Sequence, residues 1–209
     1  MIKKGNLLTT LSSIPAEYVI SFSLRPTAFS KGWSNVLHFT TGANYGKLGT
    51  RIPGVWFYYN KLHICGSVNG NANRCYNSKP LARNRWTDVK IVNTKVGSKY
   101  WYTVYVNGVL LGKMVNPTSR VYKNVKVYIT DPWYKSFKGS LRNIQISAKG
   151  NFNQKFLIRF LLRKGKGKFL ICFRDASVYL FWFIDDLFQN KSIEIFDEFL
   201  SDLSETKSF

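Results

Sequence analysis

Side chains that could carry out acid–base or metal chemistry are scarce in the first 150 residues. This segment holds 22 of the 31 Lys and Arg residues but only three acids, Glu17, Asp88 and Asp131. A retaining glycosidase needs two carboxyl groups about 5 Å apart, whereas the nearest two acids here are 43 residues apart in the chain. We therefore predict no catalytic residue, no cofactor and no enzymatic activity.

The two histidines and Asp131 add little to this inventory. His38 and His63 lie among apolar strand residues, with no Cys or His at the spacing of a metal ligand. Asp131 is a weak calcium candidate, because calcium needs several oxygen ligands and an Asp before Pro132 is more typical of a self-capped turn. A Ser-His-Asp triad would need Asp88 or Asp131 to meet a histidine, and no Gly-x-Ser-x-Gly motif is present. We expect both histidines to be structural.

The positive charge predicts an anionic partner. Residues 1–150 carry +19 of the formal net charge of +20, and such a field attracts polyanions. The densest cluster has four bases in twelve residues of loop-like sequence, and guanidinium forks suit sulfate and phosphate groups. Its members are candidate ligand-binding residues: Arg74, Lys79, Arg83 and Arg85.

Two tryptophans in turn-like sequence could stack against sugar rings. Trp33 and Trp133 are the candidates, although anchoring its own loop is the commoner role for such a residue. Trp86 opens a strand-like segment and is expected in the core.

The three cysteines leave two interpretations open. Cys65 and Cys75 flank a stretch rich in Gly and Asn that can bend back on itself. They could form a disulfide, or they could be two buried thiols at adjacent strand ends. Cys172 would then have no partner of its own.

Alternating apolar residues predict an all-β fold. Tyr18, Ile20, Phe22 and Leu24 share one face of a strand, and similar segments recur at regular spacing up to residue 147. Asn107-Gly108 is a strong type I′ hairpin signal. About nine or ten antiparallel strands indicate a two-sheet antiparallel jelly-roll sandwich.

Beyond Gly150 the composition changes. Residues 151–173 contain six Lys or Arg and no acid, whereas residues 175–209 contain eight acids and two bases. Apolar residues in 192–204 recur at helical spacing, and the apolar run 176–184 is too short for a membrane span. We predict a domain at 1–150 and a weakly packed tail at 151–209, partly helical or disordered; the alternative is a gene-model artefact.

Four segments resemble a known group of folds. They are YVISFSLRP at 18–26, WTDVKI at 86–91, YTVYVNGVLLG at 102–112 and GSLRNIQI at 139–146. In this order, over about residues 5–147, they resemble the laminin G-like, concanavalin A-like jelly-roll group. The resemblance implies a lectin-like sandwich found mostly in extracellular modules that bind glycans, sulfated polysaccharides or matrix proteins.

Together these features predict a non-enzymatic binding module. Its expected ligand is an anionic glycan such as a sulfated, heparin-like polysaccharide, or an extracellular protein partner in adhesion. Nucleic-acid binding is the alternative, because the charge suits it equally, although no RNP, KH or zinc motif is present. The resemblance implies an extracellular location, whereas the N-terminal residues show no secretory signal, which would indicate the cytoplasm. We expect a monomer or a fragment of a multidomain protein.

Overall fold

The computed structural model is an all-β sandwich, and it describes residues 3–148 and the backbone of residues 155–163 and 166–174. The strands of these described residues follow one another along the chain as β1 (Leu7–Ile14), β2 (Tyr18–Ala28), β3 (Trp33–Thr40), β4 (Gly54–Tyr58), β5 (Lys61–Val68), β6 (Asn71–Pro80), β7 (Thr87–Val96), β8 (Lys99–Val106), β9 (Val109–Val115), β10 (Tyr122–Tyr128), β11 (Lys135–Ser136), β12 (Lys138–Ala148), β13 (Lys155–Arg163) and β14 (Lys166–Arg174).

The strands form two sheets. The front sheet has the order β1-β10-β3-β4-β5-β6, with β11 beside β3, and the back sheet has the order β14-β13-β12-β2-β7-β8-β9. Every neighbouring pair is antiparallel except β11 and β3, which are parallel. The predicted two-sheet antiparallel sandwich is confirmed.

The core lies between the inner faces of the two sheets. Because successive strand residues point to opposite faces, Ile20, Phe22 and Leu24 of β2 are buried while Arg25 points outward. Opposite them, the front sheet contributes a set of fully or nearly fully buried side chains: Leu37, Phe39, Val55, Phe57, Leu62, Ile64, Val125 and Val127. The period-two pattern seen in the sequence is therefore the pattern that fills the core.

Two Asn-Gly turns set the register of their hairpins. Asn107 and Gly108 both have positive φ, 51° and 76°, as a type I′ turn requires. Asn69 and Gly70 do the same between β5 and β6, with φ of 52° and 74°. The second turn places Cys65 opposite Cys75, and the structure joins the two in a disulfide.

Some elements differ from the sequence-based expectation. Residues 71–80 were expected as loop, yet they form β6, because the preceding turn returns the chain alongside β5. Trp86 is half-buried on the outer face of the back sheet and is not part of the core, so its expected core position was wrong. The strands β13 and β14 extend the back sheet beyond β12, whereas the predicted helix at 192–204 lies outside the described residues.

The described ranges contain no helix of the length and apolarity that a bilayer crossing requires.

Candidate functional site

A row of three rings, two exposed and one half-buried, lies on the outer face of the front sheet. Trp33 on β3 pairs in register with Tyr58 on β4, and their ring centroids are 4.6 Å apart. The ring centroid of His63, on β5, lies 4.9 Å from that of Trp33. Trp33 and Tyr58 are 39% and 44% exposed. We call this surface, made of Trp33, Tyr58 and His63, the aromatic face.

His63 is also hydrogen-bonded to the side-chain amide of Asn77 on β6. Its Nδ1 lies 2.7 Å from Oδ1 of Asn77, to which it donates a hydrogen bond. Partial burial lowers the pKa of His63 from its ordinary value, the Asn77 bond acts in the opposite direction, and the positive charge of Arg51 lowers it further. At neutral pH the ring is therefore neutral, and its Nε2 can accept a hydrogen bond from a ligand hydroxyl.

Trp56 forms the floor beneath the aromatic face. It is 1% exposed, and its indole ring folds back over Gly54, two residues earlier on β4. A Cβ atom on Gly54 would lie 2.0 Å from Cη2 of this ring, so only glycine fits there. The guanidinium of Arg51 covers the same ring at 4.5 Å from its centroid. The floor is therefore fixed from both sides.

Arg51 is a buried cation held by amide and carbonyl oxygens. It is 7% exposed, its Nε donates to the Asn44 carbonyl at 2.9 Å, and its Nη1 donates to Oδ1 of Asn73. Burial lowers the pKa of Arg51, while Tyr134 and Asp131 raise it. These bonds tie the loop between β3 and β4 to β6.

Asp131 and His38 form a buried pair that cannot act as a catalytic dyad. Nδ1 of His38 lies 2.9 Å from Oδ2 of Asp131, and its Nε2 donates to the Thr50 carbonyl at 2.7 Å. Both ring nitrogens are thus engaged, and neither is free to take a proton from a nucleophile. Oδ1 of Asp131 accepts the amide hydrogens of Trp133 and Tyr134, which is the self-capped turn that its sequence favours. A calcium ion at Asp131 would have to displace these bonds.

Trp133 lies away from the aromatic face. It is 38% exposed, and its ring packs 5.4 Å from His38 and 6.1 Å from Tyr128. The structure therefore brings Trp33, but not Trp133, into the row of rings.

The basic cluster at 74–85 is divided between two parts of the molecule. Arg74 and Lys79 lie on β6 rather than in a loop, and the five residues from one to the other span about 16 Å of strand. Arg83 and Arg85 lie in the loop to β7, where the Asn84 amide donates to the Pro26 carbonyl. The structure does not gather the four side chains around one point, and their role in binding stays a prediction.

The outer face of the back sheet carries cations on rings. The guanidinium carbons of Arg142 and Arg25 lie 3.9 Å and 5.4 Å from the centroid of Trp86. On the same face the ammonium of Lys113 lies 4.5 Å from the centroid of Trp101. Arg25 and Arg142 are 117 residues apart and form no local pattern, so the sequence alone gives no sign that they meet.

Comparisons with known proteins support the fold. No family model matches the chain, and no curated protein matches it. Domains LG4-5 of the mouse laminin alpha1 chain match with a TM-score of 0.50 at 16% identity, over 70% of this chain and 39% of the laminin chain. A native heptameric SAP-like pentraxin from Limulus polyphemus matches with a TM-score of 0.44 at 15% identity, over 67% of each chain. Sheep galectin-11 matches with a TM-score of 0.40 at 12% identity, over 70% of this chain and 99% of the galectin. With its two antiparallel sheets and the laminin match, the chain has the laminin G-like, concanavalin A-like jelly-roll fold that its motifs predicted.

Proposed function

We propose that this protein is a non-catalytic module that binds anionic glycans, with sugar rings stacked on the aromatic face. The observation that carries the proposal is the row formed by Trp33, Tyr58 and His63, whose rings are in contact; Trp33 and Tyr58 are exposed and His63 is half-buried beside them. An exposed aromatic ring offers a broad apolar surface, and the hydroxyls around a stacked sugar can bond to Nε2 of His63 and to the amide of Asn77.

The charge distribution supports an anionic ligand. The +19 charge of residues 1–150 produces a long-range attraction. On the outer face of the front sheet the one acid within the described residues is Asp131, which is buried against His38. We expect affinity to fall as salt is added, because the screening length is only about 8 Å at physiological ionic strength.

The placement of the acids supports binding without hydrolysis. Oε2 of Glu17 accepts from the Lys95 amide at 2.7 Å, and Oδ1 of Asp88 accepts from the Ser23 hydroxyl at 2.6 Å. Asp131 is bonded to His38. Each of the three carboxylates of the described domain therefore has its own structural partner, and the three are in different parts of the sandwich.

We further propose an extracellular, adhesion-type setting. The Cys65–Cys75 disulfide is typical of oxidising compartments. A matrix protein in place of a glycan would be the partner if glycans fail to bind.

The test measures binding of immobilised heparin, and of its desulfated form, by the full chain and by the double variant Trp33→Ala/Tyr58→Ala. The control is Tyr45→Ala, which removes a more exposed ring, 71% against 39% and 44% for Trp33 and Tyr58, outside the aromatic face. We expect the double variant to lose about tenfold or more in affinity and the control to match the parent, with both variants keeping the parental unfolding midpoint.

Double-stranded DNA serves as the competitor. Displacement of heparin by an equal concentration of DNA phosphate, with the double variant unchanged, would contradict the proposal and indicate diffuse attraction to any polyanion. Retention of a preference for heparin over DNA supports a glycan site.

A further inference from the structure

Two arginines converge on one tryptophan on the outer face of the back sheet. Leu24 pairs in register with Thr87, so the next residue of β2, Arg25, lies beside Trp86. Arg142 reaches the same indole from β12, where it pairs with Ser23. We call Arg25, Trp86 and Arg142 the arginine–tryptophan cluster. Two like charges are thus held on one ring, at 5.4 Å and 3.9 Å from its centroid.

Within residues 3–148 neither arginine forms an ion pair, and the one ion pair there is that of His38 with Asp131. The Nε atoms of both Arg25 and Arg142 are buried and have no hydrogen-bond partner among the described residues. Buried donors are normally satisfied, and buried charges are normally paired. One oxyanion bound at the exposed part of the two half-buried guanidinium groups would pair both charges.

Residues next to the cluster line an open depression with both polar and apolar side chains. The depression has a volume of about 720 Å³ and is open to solvent. Ser23 and Asp88 belong to its wall and lie next to the cluster on β2 and β7. The remaining polar side chains of the wall are Ser21, Lys90, Tyr105, Asn143 and Gln145.

We propose that the arginine–tryptophan cluster and this depression form a second binding site, which recognises a sugar bearing one oxyanion. Arg25 and Arg142 bind the sulfate or carboxylate group, whose oxygens accept from the guanidinium donors. The sugar lies in the depression, where its hydroxyls donate to the Asp88 carboxylate and to the amide oxygen of Gln145, and its ring packs on Tyr105.

Asp88 distinguishes a sugar from a nucleic acid at this site. Its exposed carboxylate lies two residues along β7 from Trp86, on the same face. A nucleic-acid strand would bring successive phosphates toward this carboxylate, and like charges repel in such a setting. A sugar presents hydroxyl groups there instead, and these are the donors that an ionised carboxylate binds.

The second site is independent of the aromatic face. The two sheets pack through their inner faces, so Trp33 and Trp86, on the two outer faces, are on opposite sides of the sandwich. The proposal depends on the proposed function only for the glycan class of the ligand, and the sites can be tested separately.

The experiment uses single variants Arg25→Gln and Arg142→Gln of the full chain. The matched control is Lys113→Gln, which removes one cation from a ring on the same face but not beside the depression. The probes are a heparin-derived hexasaccharide, its desulfated and N-acetylated form, which keeps the carboxylates, and inorganic sulfate. Calorimetry measures affinity, and the Trp86 indole NMR signal reports occupancy of the site.

We expect each Arg variant to bind the sulfated hexasaccharide about tenfold more weakly or worse and the control to stay within about twofold. The Trp86 signal should shift on titration with the hexasaccharide in the parent protein and not in Arg142→Gln. If the Arg variants lose affinity for the sulfated hexasaccharide alone, the bound oxyanion is a sulfate group. If they lose affinity for both hexasaccharides, it is a carboxylate. Trp86→Phe, which keeps an aromatic ring, should retain binding if the variant proteins fold as the parent does.

Equal weakening by Lys113→Gln and by the Arg variants would overturn the proposal, as would tighter binding of a DNA oligonucleotide than of the hexasaccharide. A Trp86 signal that responds to inorganic sulfate but to neither hexasaccharide would also overturn it. If Trp33→Ala/Tyr58→Ala loses heparin binding while the Arg variants do not, the second site fails and the proposed function stands. The reverse pattern overturns the role of the aromatic face and leaves the second site.

Discussion

The two outer faces of the sandwich use aromatic residues in different ways. On the front sheet Trp33 contacts the rings of Tyr58 and His63, and Arg51, which covers the Trp56 ring, is also hydrogen-bonded to amide and carbonyl oxygens. On the back sheet rings contact cations, and the Nε atoms of Arg25 and Arg142 have no partner among the described residues. One fold thus presents contacts between rings on one outer face and, on the other, two guanidinium groups over a single ring.

The difference arises from which residues occupy the outward positions of the strands. Both sheets bury the same kind of aliphatic and aromatic side chains on their inner faces. The outward positions of β3, β4 and β5 carry Trp33, Tyr58 and His63, whereas those of β2 and β12 carry Arg25 and Arg142. The core therefore sets the architecture, and the alternate residues, which the core does not constrain, set the chemistry of each face.

The largest expected effect comes from displacing Trp56, the floor beneath the aromatic face. Gly54→Ala places a Cβ atom 2.0 Å from the Trp56 ring, which must then leave its position under Arg51. We expect the free energy of unfolding to fall by about 3 kcal/mol, measured by urea denaturation, together with weaker heparin binding at the aromatic face.

Gly54→Ala/Trp56→Leu is the matched rescue, because leucine removes the ring that the new methyl group strikes. The double variant should lose less stability than the sum of the two single variants. Additive losses would show that the close approach of Gly54 and Trp56 does not carry the effect.

The sequence predicted much of this architecture and little of its surface chemistry. The alternation in Tyr18 to Leu24 and the Asn107-Gly108 turn predicted a strand and a hairpin where the structure has them, because both are local signals. β6 was not predicted, because its sequence NANRCYNSKP is polar on both faces and is a strand only through its pairing with β5. Trp33 was recognised as a candidate stacking residue, but its partners on β4 and β5 depend on cross-strand register.

The arginine–tryptophan cluster is an example of surface chemistry that the sequence does not predict. Trp86 directly precedes β7, where periodicity alone does not decide between the inner and the outer face. Arg25 and Arg142 meet only because β12, far along the chain from β2, returns to pair with it. Such a site is a property of topology rather than of any sequence window.

A smaller loss of stability is expected when the rings under the cations of the back sheet are removed. Trp86→Ala removes the ring under two guanidinium groups, whereas Trp101→Ala removes a ring under one ammonium. Each such contact stabilises by about 0.5–1 kcal/mol at partly exposed sites, so we expect Trp86→Ala to cost about 1 kcal/mol more. Thermal and urea unfolding of both variants measure the difference, and equal losses would argue against two stabilising arginine contacts on Trp86.

The smallest expected effect is a pH dependence that only the aromatic face shows. Burial and Arg51 hold the pKa of His63 below its ordinary value of 6.5, so the unfolded chain binds more protons than the folded one as pH falls below 6.5. His63 therefore favours folding less as the pH falls through this range, and His63→Gln should show a weaker loss of stability between pH 7 and pH 5.

An anionic sugar on the aromatic face favours protonated His63, so its affinity there should rise as pH falls, and His63→Gln should remove that rise. Binding at the arginine–tryptophan cluster, where the guanidinium groups stay charged and His63 lies on the opposite side of the sandwich, should keep the same response to pH in His63→Gln as in the parent. A change in that response would mean that the two faces communicate through the core, in which case they are not the independent surfaces that the strand alternation indicates.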